Sequence, residues 1–562
     1  MLQVIISHLT YSEIASDLFF VTSLALAWFW PRGGERLWSS MEEFGSKLAE
    51  RKHLALFCIA AAAVLIRLSL LWYLPIPNPR IHDEFSYLLA ADTFAHGRLT
   101  NPAHPMRLFL DTIHVNQLPT YMSKYPPAQG AVLALGQLLG CPWIGVTFSV
   151  ALMCAAVLWM LQGWLPARWA LLGGLLVLLR LGVFTYWMNS YWGGAVPAIG
   201  GALVTGALPR IFRFQRLRNA VLLGLGAFIL ANSRPYEGLV LCLPVMVVLA
   251  VWLFGRRSPS WSVALPKLIL PLLVVGLLSG MFVGYYNWRA TGNPFLTPYV
   301  LNGQTYFRVP DFIFQKAESP LQYANPQLES FYNGWLRQYW SLNQVDSLRS
   351  LLRHTLQMAL KLIYFFMWPE LCIVFLAMPW LVRDRRMRFL VVQTGVCLLG
   401  SFLVIWYLPH YSAPLTATFF ALIVQSIRHL RHWEYKRRPV GIGLSRAVVL
   451  CALVLTPFHQ RGGTLVLEGP TLPLIEYRAR FVAQLKAMPG EQLAIVRYAA
   501  PSSDAGEWVY NGADIDRAKV VWAREIPGVD IRPLLDYFRG RRVWLVEPDA
   551  SPPRLSSYPN SP

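Results

Sequence analysis

His82-Asp83-Glu84-Phe85-Ser86-Tyr87 decides how this chain is read. Two adjacent carboxylates follow a strongly apolar segment, residues 54–74, and apolar sequence resumes at Lys124-Tyr125-Pro126-Pro127. Charge is costly inside a membrane, so an acidic pair between two such segments belongs to a loop at the membrane face. Held there, Asp83 ahead of Glu84 is a candidate catalytic base that takes a proton from an acceptor hydroxyl. A structural alternative stands beside it. Residues 83–96 fit an amphipathic interfacial helix with Phe85, Leu88, Leu89 and Phe94 as its apolar positions. Asp83 would then be the N-cap and Glu84 a first-turn acid favoured by the helix dipole. Asp92 and Asp111 are further acids on the same loop.

The rest of the composition agrees with a membrane setting. The chain has 562 residues, 55% hydrophobic and 14% charged, with a mean hydropathy of +0.40. A soluble domain carries roughly 25% charged residues. Apolar runs near the ~20 residues that cross a bilayer recur along most of the chain. The fold class is therefore mainly α, a polytopic membrane protein. The net charge of +20 is not a nucleic-acid footprint, because the basic residues sit in short loops between apolar runs. They gather at Arg210, Arg213, Arg216 and Arg218, at Arg256 and Arg257, at Arg383, Arg385, Arg386 and Arg388, and over 428–438. That pattern marks cytoplasmic loops, with membrane lipid headgroups as partners. All seven cysteines lie in apolar segments, which argues against a disulfide framework and a thiol metal site. No basic n-region or cleavage site opens the chain, and residues 14–30 read as an uncleaved span.

The charge rule then sets the topology. Residues 1–53 hold an N-terminal span and a cytoplasmic loop. Residues 54–460 form the main transmembrane unit, with external loops 75–127 and 288–355. Turns at 232–238 and 409–411 face outward. Four apolar pieces lie between 128 and 209 where an odd number of crossings is needed, so one is re-entrant, interfacial or fused with its neighbour. About 12 crossings are expected in all. Residues 461–562 change character. Strand-like runs Gln492–Tyr498, Lys519–Ala523 and Arg542–Glu547 alternate with helical patterns at 473–487 and 531–539, which predicts a small extracytoplasmic α/β domain. The Pro-rich tail at 552–562 reads as disordered.

Four further motifs interrupt the apolar sequence. Proline at a helix start accounts for Pro126-Pro127, and Lys124 or Tyr125 beside it can meet an anionic headgroup. In Asn232-Ser233-Arg234-Pro235-Tyr236-Glu237-Gly238, Arg234 is either a snorkelling turn residue or a phosphate ligand, for which its planar fork is suited. The second is preferred, because a plain turn needs neither Arg234 nor Glu237. In Tyr285-Tyr286-Asn287-Trp288-Arg289-Ala290-Thr291-Gly292-Asn293-Pro294, the aromatics suit an interfacial belt, while Asn287 and Arg289 are candidate sugar and phosphate contacts. His410-Tyr411 is a candidate substrate contact on an outer turn, although a lone His is more often structural.

An outward first span, an acidic pair opening the first external loop and a Pro-Pro re-entry together resemble the GT-C membrane glycosyltransferases. The likeness is to glycosyltransferase family 39 and its bacterial relatives, which include protein O-mannosyltransferases and lipid A aminoarabinose transferases, and it covers about residues 54–460. The resemblance implies a GT-C fold and a hexosyl- or pentosyltransferase in the inner (plasma) membrane. It implies a polyprenyl-phosphate sugar donor, a lipid, glycan or protein acceptor on the outer face, and inversion with Asp83 as general base. The active site and the C-terminal domain would be extracytoplasmic. In relatives a phosphate-binding lysine directly precedes the Pro-Pro; here Tyr125 holds that place and Lys124 is one residue earlier. On a helix start that shift is about 100° of rotation, which favours Arg234 and Arg289 as phosphate partners. No convincing metal-ligand set is visible, so no metal or cofactor is expected, although some relatives need a divalent ion. The donor phosphate is already a good leaving group, so cations that neutralise it matter more than an acid. The alternatives are a transporter or lipid flippase, for which Arg67 and Arg180 are the notable charges within apolar runs, and a non-catalytic envelope scaffold.

Overall fold

Prolines open several of the helices that frame the first loop, as expected where a missing N–H costs nothing. The computed structural model describes residues 11–256, 258–459, 472–499 and 507–559. From the first long apolar run onward the chain forms α1 (Lys52–Ser69), α2 (His82–Ala95), α3 (Pro127–Leu138), α4 (Pro142–Trp164), α5 (Ala195–Phe214), α6 (Pro235–Phe254) and α7 (Trp261–Thr291). Helices α3, α4 and α6 each begin on a proline.

Among the described residues α1, α4, α5, α6 and α7 are long and apolar enough to cross a membrane. Leu348–Met367 and Glu370–Arg383, bent by 103° at their break, make a sixth span if counted as one. Shorter apolar helices occupy Ala15–Phe29, Leu217–Ala231, Arg388–Phe402 and Val440–Thr456. This is fewer long spans than the twelve expected, and the reason is local. The run expected over 389–408 stops being helical at Phe402, and residues 409–415 form a 3₁₀ turn, which delays the next helix to Thr416. Between 128 and 209 all four apolar pieces are helical. At 1.5 Å per residue the 12 residues of α3 reach only about 18 Å, short of the ~30 Å hydrocarbon core.

Helix α2 departs from the interfacial reading. Its N-cap is Ile81, not Asp83, and no side chain caps it. Glu84, Ser86, Tyr87, Leu89, Ala90, Ala91 and Thr93 are all buried, so the helix is covered on every side. Helix α3 lies close along it, since a Cβ at Gly130 would stand 2.6 Å from Ala90 Cβ. The first loop continues into a small antiparallel sheet of β1 (Asn101–Pro102), β2 (Val115–Asn116) and β3 (Thr120–Ser123), in the order β1-β3-β2.

The last hundred residues supply the other cover. Strands β4 (Gln492–Val496), β5 (Val520–Arg524), β6 (Arg542–Glu547) and β7 (Arg554–Ser557) form one sheet in the order β5-β4-β6-β7. Strand β4 is parallel to both β5 and β6, while β7 is antiparallel to β6. Every residue of β4 and β5 is buried, as in a sheet covered on both faces. Its core is shared with the first loop: Leu493, Ile495, Val521 and Phe538 pack in one cluster with Leu89, Phe109 and Tyr121. The tail read as disordered is corrected in part. Residues 554–557 pair with β6, because Leu555 and its neighbours satisfy an otherwise open strand edge; residues 560–562 lie outside the described residues.

Gly201 of α5 meets the 409–415 turn so closely that a Cβ there would overlap the Pro414 carbonyl. Gly201→Val should therefore cost about 1–3 kcal/mol or more. Gly276→Ala, where a Cβ meets nothing within 4 Å, should leave the thermal midpoint in place. Equal midpoints for the two variants would contradict this packing.

Candidate active site

Asp83 is the second residue of α2, where the helix dipole favours a negative charge. Its side chain is 19% exposed. The Tyr125 hydroxyl donates to Asp83 Oδ1 in a short hydrogen bond. Tyr125 is itself fixed by a ring stack on Tyr87, with centroids 4.4 Å apart, and by its N–H on Ser123 Oγ at 3.1 Å. Ser123 Oγ meets Ser86 Oγ at 2.8 Å, and Ser86 Oγ donates to the His114 carbonyl at 2.7 Å. The end of β3 is thereby fastened to the first turn of α2, and this fastening brings the acidic motif and the Lys124-Tyr125-Pro126-Pro127 motif together.

Lys124 belongs to this group, contrary to the helical argument. Residues 124–126 form a bend before α3 starts at Pro127, so rotation about a helix axis does not apply to them. The Lys124 ammonium lies 3.5 Å from His114 Nε2 and over the rings of Tyr125 (5.1 Å) and Tyr299 (5.3 Å). Burial lowers its pKa to about 8, against the opposing pull of Asp83 and Asp311. Tyr299 in turn points its hydroxyl at Asp311 Oδ1, 3.5 Å away.

Arg234 approaches from the other side. It caps α6, and its guanidinium lies 4.2 Å over the Tyr411 ring. The Ala128 N–H donates to the Asn232 carbonyl at 2.9 Å, tying this turn to the start of α3. Tyr125 and Tyr411 both lie within electrostatic reach of Asp83 and of Arg234. Glu237, one turn further along α6, interacts with Arg234 and lines a small cavity with Tyr411. His410 is almost fully buried, with its Nδ1 2.9 Å from Tyr186 Oη and its ring edge-on to Trp192 at 4.6 Å. It shapes the turn that presents Tyr411.

Three candidates are not brought into this group. Arg289 stands exposed on α7 with Tyr285 Oη at 3.4 Å as its partner. Asn287 is buried and donates to the Pro294 carbonyl at 3.1 Å, which closes the turn after α7. Neither touches Asp83, Lys124 or Arg234 by any hydrogen bond or ion pair among the described residues. Glu84 is fully buried, and burial pushes its carboxyl up to about 8. Burial thus favours its neutral form, which makes Asp83 the stronger candidate for the base. Because the folded-state pKa is raised, the favourable contribution is complete at low pH and declines as pH rises toward about 8. Glu84→Gln should therefore flatten the fall in thermal midpoint between pH 6 and 8 and leave activity intact. A midpoint that falls equally in both proteins would overturn this assignment.

His114, Asp311, Tyr299 and Tyr87 join the site without having been foreseen. His114 adopts a left-handed backbone (φ 64), a conformation that costs a residue other than glycine free energy and is often found at functional positions. His82, Asp83 and His114 offer ligand-type atoms within 4.8 Å of one another, a grouping not visible in the sequence. Tyr125 already engages Asp83, and the Lys124 ammonium faces His114 Nε2. His82 Nδ1 and His114 Nδ1 are buried without a hydrogen-bond partner, so these two nitrogens with Asp83 fit a divalent ion, whose charge the nearby Lys124 ammonium would oppose. Asp92 is structural: it accepts from Gln137 Nε2 and from the Ala513 N–H, each at 2.6 Å.

No family profile and no curated protein matches the sequence. Among solved structures the chain is similar to ArnT from Cupriavidus metallidurans bound to undecaprenyl phosphate. Identity is 13%, coverage 88% of this chain and 92% of that one, and the TM-score 0.48. It is also similar to the Archaeoglobus fulgidus oligosaccharyltransferase in complex with Zn and sulfate, at 12% identity, 88% and 67% coverage and a TM-score of 0.48.

Proposed function

We propose that this chain is an integral-membrane glycosyltransferase of GT-C type. It moves a hexose or pentose from a polyprenyl-phosphate donor to a hydroxyl of a lipid, glycan or protein acceptor at the outer face of the inner membrane. The observation that carries the reading is one cluster at the ends of apolar helices. In it a carboxylate, Asp83, is held by Tyr125, and two cations, Lys124 and Arg234, lie over neighbouring tyrosine rings. A base and a pair of cations are what displacement of a phosphate requires. Asp83 takes the acceptor O–H proton as the acceptor oxygen bonds to the anomeric carbon. The bond from that carbon to the phosphate oxygen breaks, its electron pair leaves with the polyprenyl phosphate, and Lys124 and Arg234 offset the charge. Attack from the side opposite the leaving group inverts the anomeric centre. The apolar helices hold the lipid tail, and the four shorter apolar helices would bring the crossings among the described residues to nine or ten. A transporter would place charges within its apolar runs, and the two notable ones here have structural partners. Arg67 donates to Asn189 Oδ1 and the Pro75 carbonyl, and Arg180 to the Phe365 and Tyr364 carbonyls.

The test is purified protein in lipid nanodiscs, supplied with a panel of polyprenyl-phosphate hexoses and pentoses and assayed for released polyprenyl phosphate. At least one donor should turn over. Its affinity should fall as pH rises through about 8, because Lys124 loses its proton there and not near the usual ~10.4 of lysine. Lys124→Arg should remove that alkaline limb. No release from any donor would overturn the reading.

A further inference from the structure

A second cavity, of about 250 Å³, opens between the loops 75–127 and 288–355. Asp111, Thr305, Tyr306, Gln322, Tyr323 and Asn325 supply its polar lining, and no Lys or Arg takes part. An anionic ligand finds no counter-charge there. A neutral ligand rich in hydroxyls finds the Asp111 carboxylate and the Gln322 amide, and the oxygens of Thr305, Tyr306 and Tyr323 as acceptors, since those hydroxyls already donate to Leu301, Asp111 and Tyr306. The volume is slightly below the ~300–1,000 Å³ of clefts that hold larger ligands, and it suits one sugar ring.

The walls are built and held. Tyr306 donates to Asp111 Oδ1 at 2.9 Å. The Asp111 carbonyl accepts from Arg524 Nη1 at 2.8 Å, and Arg524 is paired with Glu507 in an ion pair whose side chains are 1% and 2% exposed. The C-terminal sheet thus fixes a residue of the first loop. The rings of Tyr306 and Tyr323 both lie nearly parallel to that of Tyr332, each with centroids 5.8 Å away and interplanar angles of 14° and 18°. Tyr332 covers one face of each ring from behind, and the faces turned away from it are those left to meet the C–H face of a pyranose. The cavity also backs onto the candidate active site. Tyr332 Oη lies 3.5 Å from the His114 amide, and His114 packs edge-on against His82, next to Asp83.

We propose that this cavity is a binding subsite for one neutral sugar residue, with Asp111 accepting from its hydroxyls and the tyrosines forming its stacking wall. Assigning that sugar to the acceptor rests on the transferase reading; its binding does not. The test is saturation-transfer NMR on the full chain in nanodiscs, without donor, against a panel of methyl hexosides and pentosides, with inorganic phosphate as competitor. At least one glycoside should receive saturation. Asp111→Asn should weaken the signal, and Ala324→Trp and Thr305→Trp should each reduce it about tenfold or more. Both tryptophans enter the cavity from exposed positions on opposite loop segments, so either one decides the matter if the other misfolds. Asp83→Asn should keep the signal. No signal from any glycoside, a signal undiminished in a folded plugged variant, or displacement by phosphate would overturn the proposal. Failure of the transferase reading would instead appear as absent donor turnover with glycoside binding intact.

Discussion

Asp83→Asn should lower the proposed sugar transfer by about 10²–10⁴-fold, the contribution expected of a positioned base. The amide has nearly the shape of the carboxylate and can still accept the Tyr125 hydroxyl, so the fold and the thermal midpoint should hold. The loss should fall on kcat, with KM for the donor little changed, because the lost step is proton removal from the acceptor and not donor binding. Glu84→Gln provides the internal contrast: it is the adjacent carboxyl, it is buried, and its replacement should spare transfer. An Asp83→Asn protein that transferred sugar at the full rate would remove the base from this account.

Arg234→Gln has the second large effect. The guanidinium is held over Tyr411 at 4.2 Å, in a half-buried setting where a fixed cation is worth more than in water. Its loss should lower kcat/KM for the donor by about 10²–10³-fold, the magnitude seen when one preorganised charge-stabilising donor is removed. Arg234→Lys should recover only part of this, since the ammonium lacks the planar fork. Arg289→Gln, on the exposed end of α7, should change kcat/KM by less than about twofold, as surface substitutions do. Equal losses at positions 234 and 289 would mean that the phosphate is bound elsewhere.

How much of this was legible in the sequence depended on how local each signal was. Strands β4 and β6 follow from short apolar runs bounded by turns, and the proline starts of α3 and α6 follow from Pro127 and Pro235. The Asp83, Tyr125 and Arg234 motifs were visible because charge or ring hydroxyls interrupt apolar sequence, and the structure joins them through Tyr87 and Tyr411. What failed was long-range. Helix α2 reads as interfacial until the C-terminal sheet, remote in sequence, covers it; Phe85 stacks on Tyr510 at 4.1 Å, and Arg478 lies 4.5 Å over the Phe85 ring. Asp83 ranks ahead of Glu84 in sequence, and burial of Glu84 widens that difference. A helical argument ranks Lys124 below the arginines, but it does not apply to the bend in which Lys124 lies. Arg289 and Arg234 carry the same signal in sequence, and only the exposed direction of Arg289 on α7 separates them. His114 and Asp311 carry no local signature at all, being single polar residues in loops that meet the site only when the chain has folded.

The most direct test of the central claim is a structure of the protein with a polyprenyl phosphate bound. The account predicts the phosphate oxygens within hydrogen-bonding distance, about 3 Å, of both Arg234 and Lys124, with Asp83 open to the adjoining water-filled side. A phosphate seated against Arg289, or in a cavity that excludes Asp83, would contradict it.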